Sequence, residues 1–138
     1  MVSYKKLISV ALEKNPNNAD LVFNLGVISY NNKELLEAEK YYLKAIELDP
    51  KYVNAYLNLA ILKLDVEKIL IDKMNKLGTS TAEMKKYDVL KKQREDVYKS
   101  AIPYLKKVVE LDPQNIEAIK TLIGVYNAIE MFDEAKVL

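Results

Sequence analysis

The reactive side chains of this sequence are 20 carboxylates, 21 lysines and arginines and 10 tyrosines; cysteine and histidine are absent. Without a thiol there is no disulfide, thiolate nucleophile or thiolate-held metal. Without an imidazole there is no histidine general base and no histidine-based zinc site. A glycine-rich phosphate loop is excluded because the only glycines are Gly26, Gly78 and Gly124. The carboxylates, lysines and tyrosines are expected on solvated helix faces, and their spacing converges on no pocket. No catalytic, cofactor-binding or metal-ligating residue is therefore expected, and the chain reads as a non-enzyme. What remains is recognition, through amide hydrogen bonds and apolar contact.

The elements that would present such groups are helical. The chain has 138 residues, 50% of them hydrophobic and 30% charged, enough to bury a continuous core and too apolar for disorder. Three glycines and four prolines are too little punctuation for a sheet-rich fold. A formal net charge of +1 argues against a dedicated nucleic-acid surface. No apolar run approaches the roughly 20 residues of a membrane span. The stretch from Met1 to Ala11 lacks a signal-peptide layout, and the missing thiols leave the compartment open.

Self-similarity organises the sequence. ALEKNP, AIELDP and VVELDP end at Pro16, Pro50 and Pro113. Pro16 and Pro50 stand 34 positions apart, as do Gly26 and Ala60, whereas Pro50 and Pro113 are separated by 63, one period plus 29. After Lys33, the residues Leu35, Ala38, Tyr42, Ala45, Ile46 and Leu48 form one apolar helical stripe. Ala38 and Ala45 are small where helices must approach closely. Pro50 and Pro113 lack an N–H, and each closes a helix pair. A single helical hairpin cannot bury both faces, so neighbours must stack.

These residues resemble the tetratricopeptide repeat family. Leu25, Gly26, Ala38, Tyr42, Ala45 and Pro50 carry the best copy. Tyr56, Leu59, Ala60, Tyr98, Ala101, Leu105, Val108 and Pro113 carry the next. Leu122, Tyr126, Phe132 and Ala135 carry a third, and Ile8, Ala11 and Pro16 an earlier half-copy. The sequence departs from the family pattern where Ser29 and Lys63 replace an aromatic, Tyr4 a small residue and Lys33 the turn glycine. The implied fold is all-α, an α-solenoid of stacked antiparallel helical hairpins in a right-handed superhelix. The expected organisation is one domain over 1–138: a partial repeat at 1–18, a repeat at 19–52, a repeat at 53–115 and a truncated repeat at 116–138.

The additional 29 residues, near 65–93, read as a helical insertion that elongates the second hairpin. Leu59, Leu62, Val66, Leu70, Met74 and Leu77 continue its first helix, which Gly78 is expected to end in the left-handed conformation. Ser80 and Glu83 form an S-x-x-E capping box for the return helix. Pro103 predicts a bend or break near Tyr98 to Ile102. Lys85, Lys86, Lys91, Lys92 and Arg94 make the hairpin tip basic, with Glu83, Asp88, Glu95 and Asp96 interleaved, a pattern that reads first as a solvated face.

The resemblance also implies a concave face, lined by the first helix of each hairpin, on which a peptide lies. Phe23, Asn24, Val27, Tyr30 and Asn31 are expected there from the first full repeat. Asn54, Leu57, Asn58, Ile61 and Asp65 are expected from the second, and Glu117, Lys120, Thr121 and Asn127 from the third. Asn24 and Asn58 both donate and accept, as pairing with a peptide backbone requires, and Phe23, Tyr30, Leu57 and Ile61 would add apolar contact. Tyr42, Tyr56, Tyr98 and Tyr126 read as packing between hairpins. The family's carboxylate clamp for chaperone C-termini is not expected, because the corresponding places hold Phe23, Val27, Glu117 and Thr121, with only Asn58 agreeing.

The expected function is thus a protein–protein interaction scaffold with a peptide-like partner. The alternative is a self-associating assembly module, because the chain starts and stops within repeats and exposes uncapped ends. RNA binding by helical-hairpin repeats has a similar period but does not fit the near-neutral charge. A repeat with a long insert followed by a final repeat also resembles the C-terminal part of longer, exported tetratricopeptide proteins, which leaves localisation open.

Overall fold

The computed structural model describes residues 4–129, which contain six α-helices and no strand. These are α1 (Tyr4–Lys14), α2 (Ala19–Asn31), α3 (Leu35–Leu48), α4 (Val53–Asn75), α5 (Thr81–Leu111) and α6 (Ile116–Ala128). Phe132, Ala135 and the expected exposed end at Leu138 lie outside the described residues.

Local chemistry sets the helix ends. α1, α3 and α5 each stop two residues before a proline, at Lys14, Leu48 and Leu111. A proline disfavours the helical region for the residue before it, and Asp49 and Asp112 have accordingly left it, with φ of −140° and −139°. Two of the following helices, α2 and α6, begin on asparagine caps. Asn18 accepts from the Leu21 N–H at 3.2 Å and Asn115 from the Ala118 N–H at 3.0 Å. Each such cap is worth about 1 kcal/mol.

Two features differ from expectation. α4 ends at Asn75, and Gly78 is not left-handed. Instead, the Gly78 N–H donates to Glu83 Oε2 at 2.6 Å, and a Cβ on Gly78 would lie 3.1 Å from both Glu83 carboxylate oxygens. The glycine admits a carboxylate rather than a positive φ. That carboxylate also accepts from the Ser80 hydroxyl at 2.9 Å, and the Ser80 oxygen accepts from the Glu83 N–H at 3.2 Å, so Ser80 caps α5 as expected while Glu83 reaches back to the Gly78 N–H. The Gly78 N–H first, then the Ser80 hydroxyl, hold the Glu83 carboxyl below the usual carboxylate range.

The second difference is Pro103. α5 runs through it as one helix, without the expected break. Pro103 is exposed, as is Lys99 one turn earlier, whose carbonyl loses its helical donor. Water can satisfy that carbonyl, and the ring crowds no neighbouring helix.

The left-handed residue is Lys33, with φ of 63°. The Lys33 N–H donates to the Tyr30 carbonyl and the Glu34 N–H to the Ser29 carbonyl, both at 2.9 Å. This is a Schellman closure of α2 with lysine in the glycine position. The left-handed region costs a side-chain-bearing residue about 1–2 kcal/mol, against roughly 0.5–1 kcal/mol of extra chain entropy for glycine. Lys33→Gly is expected to stabilise the protein by about 0.5–1 kcal/mol, a rise of roughly 2–4 °C in thermal midpoint. A circular-dichroism melt checks this, and an unchanged or lower midpoint contradicts it.

Contacts divide the chain into two compact units, Met1–Leu62 and Lys63–Leu138. In the first, α2 packs against α1 and, more extensively, α3. Leu25, Ala38, Tyr42, Ala45, Leu59 and Ala60 are fully buried there, each large apolar side chain contributing about 2 kcal/mol. Small residues admit large ones, since a Cβ on Gly26 would lie 2.6 Å from Tyr42 Cε1. Ser29, standing where the family has an aromatic, is wholly buried. In the second unit α5 packs against α6, using Ala101, Leu105 and Val108 on one side and Ala118, Leu122, Val125 and Tyr126 on the other.

The second half of α4 and the first half of α5 are antiparallel. Glu67 meets Arg94 and Tyr98, while Lys73 to Leu77 face Lys85 to Gln93, so positions rise along one helix as they fall along the other. At 23 and 31 residues these helices are much longer than α2 and α3, which have 13 and 14.

Candidate functional site

Helical periodicity sets which residues of α2 share a face. Val27, Tyr30 and Asn31 fall three or four positions apart, so they project together. On α4 the same spacing joins Asn58 to Ile61. In the first unit these five side chains line one groove of about 230 Å³, with Tyr42 of α3 as the sixth lining residue.

Tyr42 is 1% exposed overall. Its ring lies 5.6 Å from that of Phe23, beside the space kept open by Gly26. Its hydroxyl accepts a long hydrogen bond, 3.5 Å, from Asn58 Nδ2. Burial pushes the Tyr42 pKa up, and the Asn58 amide opposes part of that rise. The phenol is therefore neutral at physiological pH and serves as a hydrogen-bonding floor. No lysine, arginine, aspartate or glutamate lines the groove.

Of the residues expected on a peptide-binding face, Val27, Tyr30, Asn31, Asn58 and Ile61 come together here. Phe23 instead packs into the cluster of Val22, Ala45 and Ala55, its ring 4.9 Å from that of Tyr52. Asn24 and Leu57 are half-buried and Asn54 is exposed, and none of the three lines the groove. Asp65, Glu117, Lys120, Thr121 and Asn127 belong to the second unit, where Lys120 and Asn127 are exposed on α6. The resemblance gives Tyr42 a packing role only; that it also lines this groove follows from residues of α2, α3 and α4 meeting there.

A second polar cluster lies in the other unit. Glu67 is 5% exposed, yet its Oε1 accepts from Arg94 Nε at 2.7 Å and from the Tyr98 hydroxyl at 2.9 Å. Arg94 also donates to the Tyr98 hydroxyl at 3.3 Å, and its guanidinium carbon is 5.3 Å from the Tyr98 ring centre. The Glu67 hydrogen bond raises the Arg94 pKa, while burial raises that of Tyr98. All three groups are mutually satisfied, which marks a structural lock. Among the described residues no group of acidic side chains is placed to hold a metal, and no helix is long and apolar enough to cross a membrane.

Paired helices closed by prolines, with an uncharged groove between them, define a helical-repeat protein-interaction module. Tetratricopeptide repeat models match residues 19–52, 41–83 and 97–115, together more than half of the sequence, and the chain belongs to the tetratricopeptide repeat family. It is similar to protein O-mannosyl-transferase TMTC3 of Homo sapiens, 30% identical over 88% of this chain and 14% of that protein. It is also similar to the Drosophila melanogaster Tmtc3, 25% identical over 98% of this chain and 11% of that protein. The chain thus spans only a small part of these relatives. Among solved structures, a protein from Bacteroides ovatus superposes with a TM-score of 0.70 at 22% identity, over 93% of this chain and 65% of that one. The first TPR of Spaghetti (RPAP3), solved with the HSP90 peptide SRMEEVD, gives 0.65 at 18% identity, over 91% and 77%. At these identities the likeness is one of fold.

Proposed function

We propose that this chain is a non-catalytic scaffold whose groove between α2 and α4 takes an extended, uncharged or apolar peptide segment. The observation that carries this reading is the groove itself, in which Val27 and Ile61 supply apolar walls and Asn58 supplies an amide. Among the described residues the Asn58 carbonyl makes no hydrogen bond, so it can accept from a peptide N–H while Nδ2 holds Tyr42. The absence of a lining cation argues against an acidic C-terminal tail of the kind carried by the HSP90 peptide SRMEEVD. Repeats of this kind act by presenting surface, and we assign that role to this stretch whatever activity the rest of a longer relative carries.

Selection of peptides from a displayed library, followed by calorimetry, tests this reading. Asn58→Ala removes a hydrogen bond worth about 1 kcal/mol, and is expected to weaken binding roughly fivefold. Val27→Glu places a charge among apolar walls and is expected to abolish it. If both variants keep their helicity and bind the selected peptides as the parent does, the groove is not the site.

A further inference from the structure

A second surface lies at the tip of the α4–α5 hairpin, within the second unit. There the ends of the two helices leave a groove of about 570 Å³, within the size range of ligand sites. Its floor is almost wholly carbon, from Leu77, Val89 and Leu90 and from the stems of the surrounding lysines. Val89 is 58% exposed, so an apolar face remains open to water.

The rim is cationic. Lys73 and Lys76 come from α4, Lys85 and Lys86 from α5, and no carboxylate lines the groove. Along the sequence this region alternates charges, but the fold sorts them. Glu83 is engaged by the Gly78 N–H and the Ser80 hydroxyl. Lys92 pairs with Asp96 at 3.6 Å, and Arg94 with the buried Glu67. Glu83 also acts on Lys86, but no carboxylate is among the lining residues. Four lysines thus border an apolar trough.

We infer that this trough docks an acidic amphipathic helix from a partner protein, with apolar side chains on Leu77, Val89 and Leu90 and carboxylates against the four lysines. Charge complementarity selects the occupant, since a purely apolar segment would leave the rim unmatched and a basic one would be repelled. The lining on α5 runs from Lys85 to Gln93, about 12 Å along the axis, which suits two to three turns of helix.

The probe is a fluorescein-labelled peptide with leucines at helical spacing and glutamates at its other positions, followed by anisotropy with the full chain. Its controls are the same peptide with lysine in place of glutamate, and phosphatidylserine vesicles. The acidic peptide is expected to bind in the micromolar range, more weakly in high salt, while the lysine peptide does not bind. Lys76→Glu with Lys85→Glu is expected to weaken binding at least about tenfold, as is Val89→Asp alone. These positions are exposed, so both variants should retain the parental helicity. Asn58→Ala, in the other groove, is expected to change nothing. The inference is overturned if the charge-reversed variant binds unchanged, if the lysine peptide binds equally well, if Asn58→Ala abolishes binding, or if only vesicles are bound.

Discussion

Tyr42→Ala is expected to destabilise the first unit by about 3–5 kcal/mol, the cost of removing a buried aromatic ring. Tyr42 is enclosed by Phe23, by the bare backbone of Gly26 and by Asn58, so little can collapse into the space it leaves. Tyr42→Phe separates the ring from its hydroxyl. Among the described residues the partner of that hydroxyl is 3.5 Å away, at the limit of a hydrogen bond, so this change is expected to cost less than about 1 kcal/mol. Gly26→Ala tests the same contact from the other side. Alanine favours the helix by nearly 1 kcal/mol, but its Cβ would sit 2.6 Å from a ring that has no room to move. The net result is expected to be a loss of about 1–2 kcal/mol, and it should shrink when Tyr42 is first replaced by leucine. Urea titrations of these variants decide the matter. A Tyr42→Ala loss below about 1 kcal/mol would show that the ring is not the keystone described here.

The second large effect is expected at the polar lock of the other unit. Among the described residues, Arg94→Met leaves the Glu67 carboxylate with the Tyr98 hydroxyl as its one remaining partner, in a position 5% exposed to water. Removing one partner of a buried pair costs about 3–5 kcal/mol. The Arg94 side chain is itself 33% exposed, so solvent screening lowers the expectation to about 2–3 kcal/mol. Replacing both residues, Glu67→Leu with Arg94→Met, removes the stranded charge and is expected to recover most of that loss. The double-mutant cycle reads the coupling directly. If the double variant is no more stable than Arg94→Met, the cost lies in lost packing rather than in the unpaired carboxylate.

The lock and the hairpin tip have a common origin. Glu67 removes one cation from the surface by drawing Arg94 inward, and Asp96 engages Lys92. Lys73, Lys76, Lys85 and Lys86 then surround the apolar trough without a carboxylate among them. In the first unit the opposite selection holds, because the groove above Tyr42 contains no charged lining residue. Each unit therefore carries a groove of distinct lining, one without a charged residue, the other apolar and bordered by lysines.

Much of this was legible in the order of residues. The prolines at positions 16, 50 and 113 announced three helix ends, and Ser80 with Glu83 announced a helix start. Lys33 was legible as a residue in a glycine position, and it alone among the described side-chain-bearing residues takes a positive φ. The groove was legible in part. Val27, Tyr30, Asn58 and Ile61 could be named because the family resemblance implies a concave face lined by the first helix of each hairpin, and helix periodicity is consistent with it. Phe23 shares that periodicity with Val27, yet it is drawn into the contact between Val22, Ala45 and Ala55. Periodicity gives direction around an axis, not the depth at which a neighbouring helix stops.

What the amino-acid order determined by itself is whatever acts within a few residues. That covers helix type, period, caps and stops, because a missing N–H, an asparagine acceptor or an apolar stripe acts over one or two turns. Only the tertiary structure decided that Pro103 sits on a wet face and leaves α5 unbroken, and that Gly78 makes room for the Glu83 carboxylate. The packed helices likewise turned Tyr42 into the floor of a groove and separated interleaved charges into a lock and a cationic rim. Each of these outcomes depends on which distant side chain arrives within about 4 Å, the range over which sterics and desolvated charge act, and that distance is set by packing.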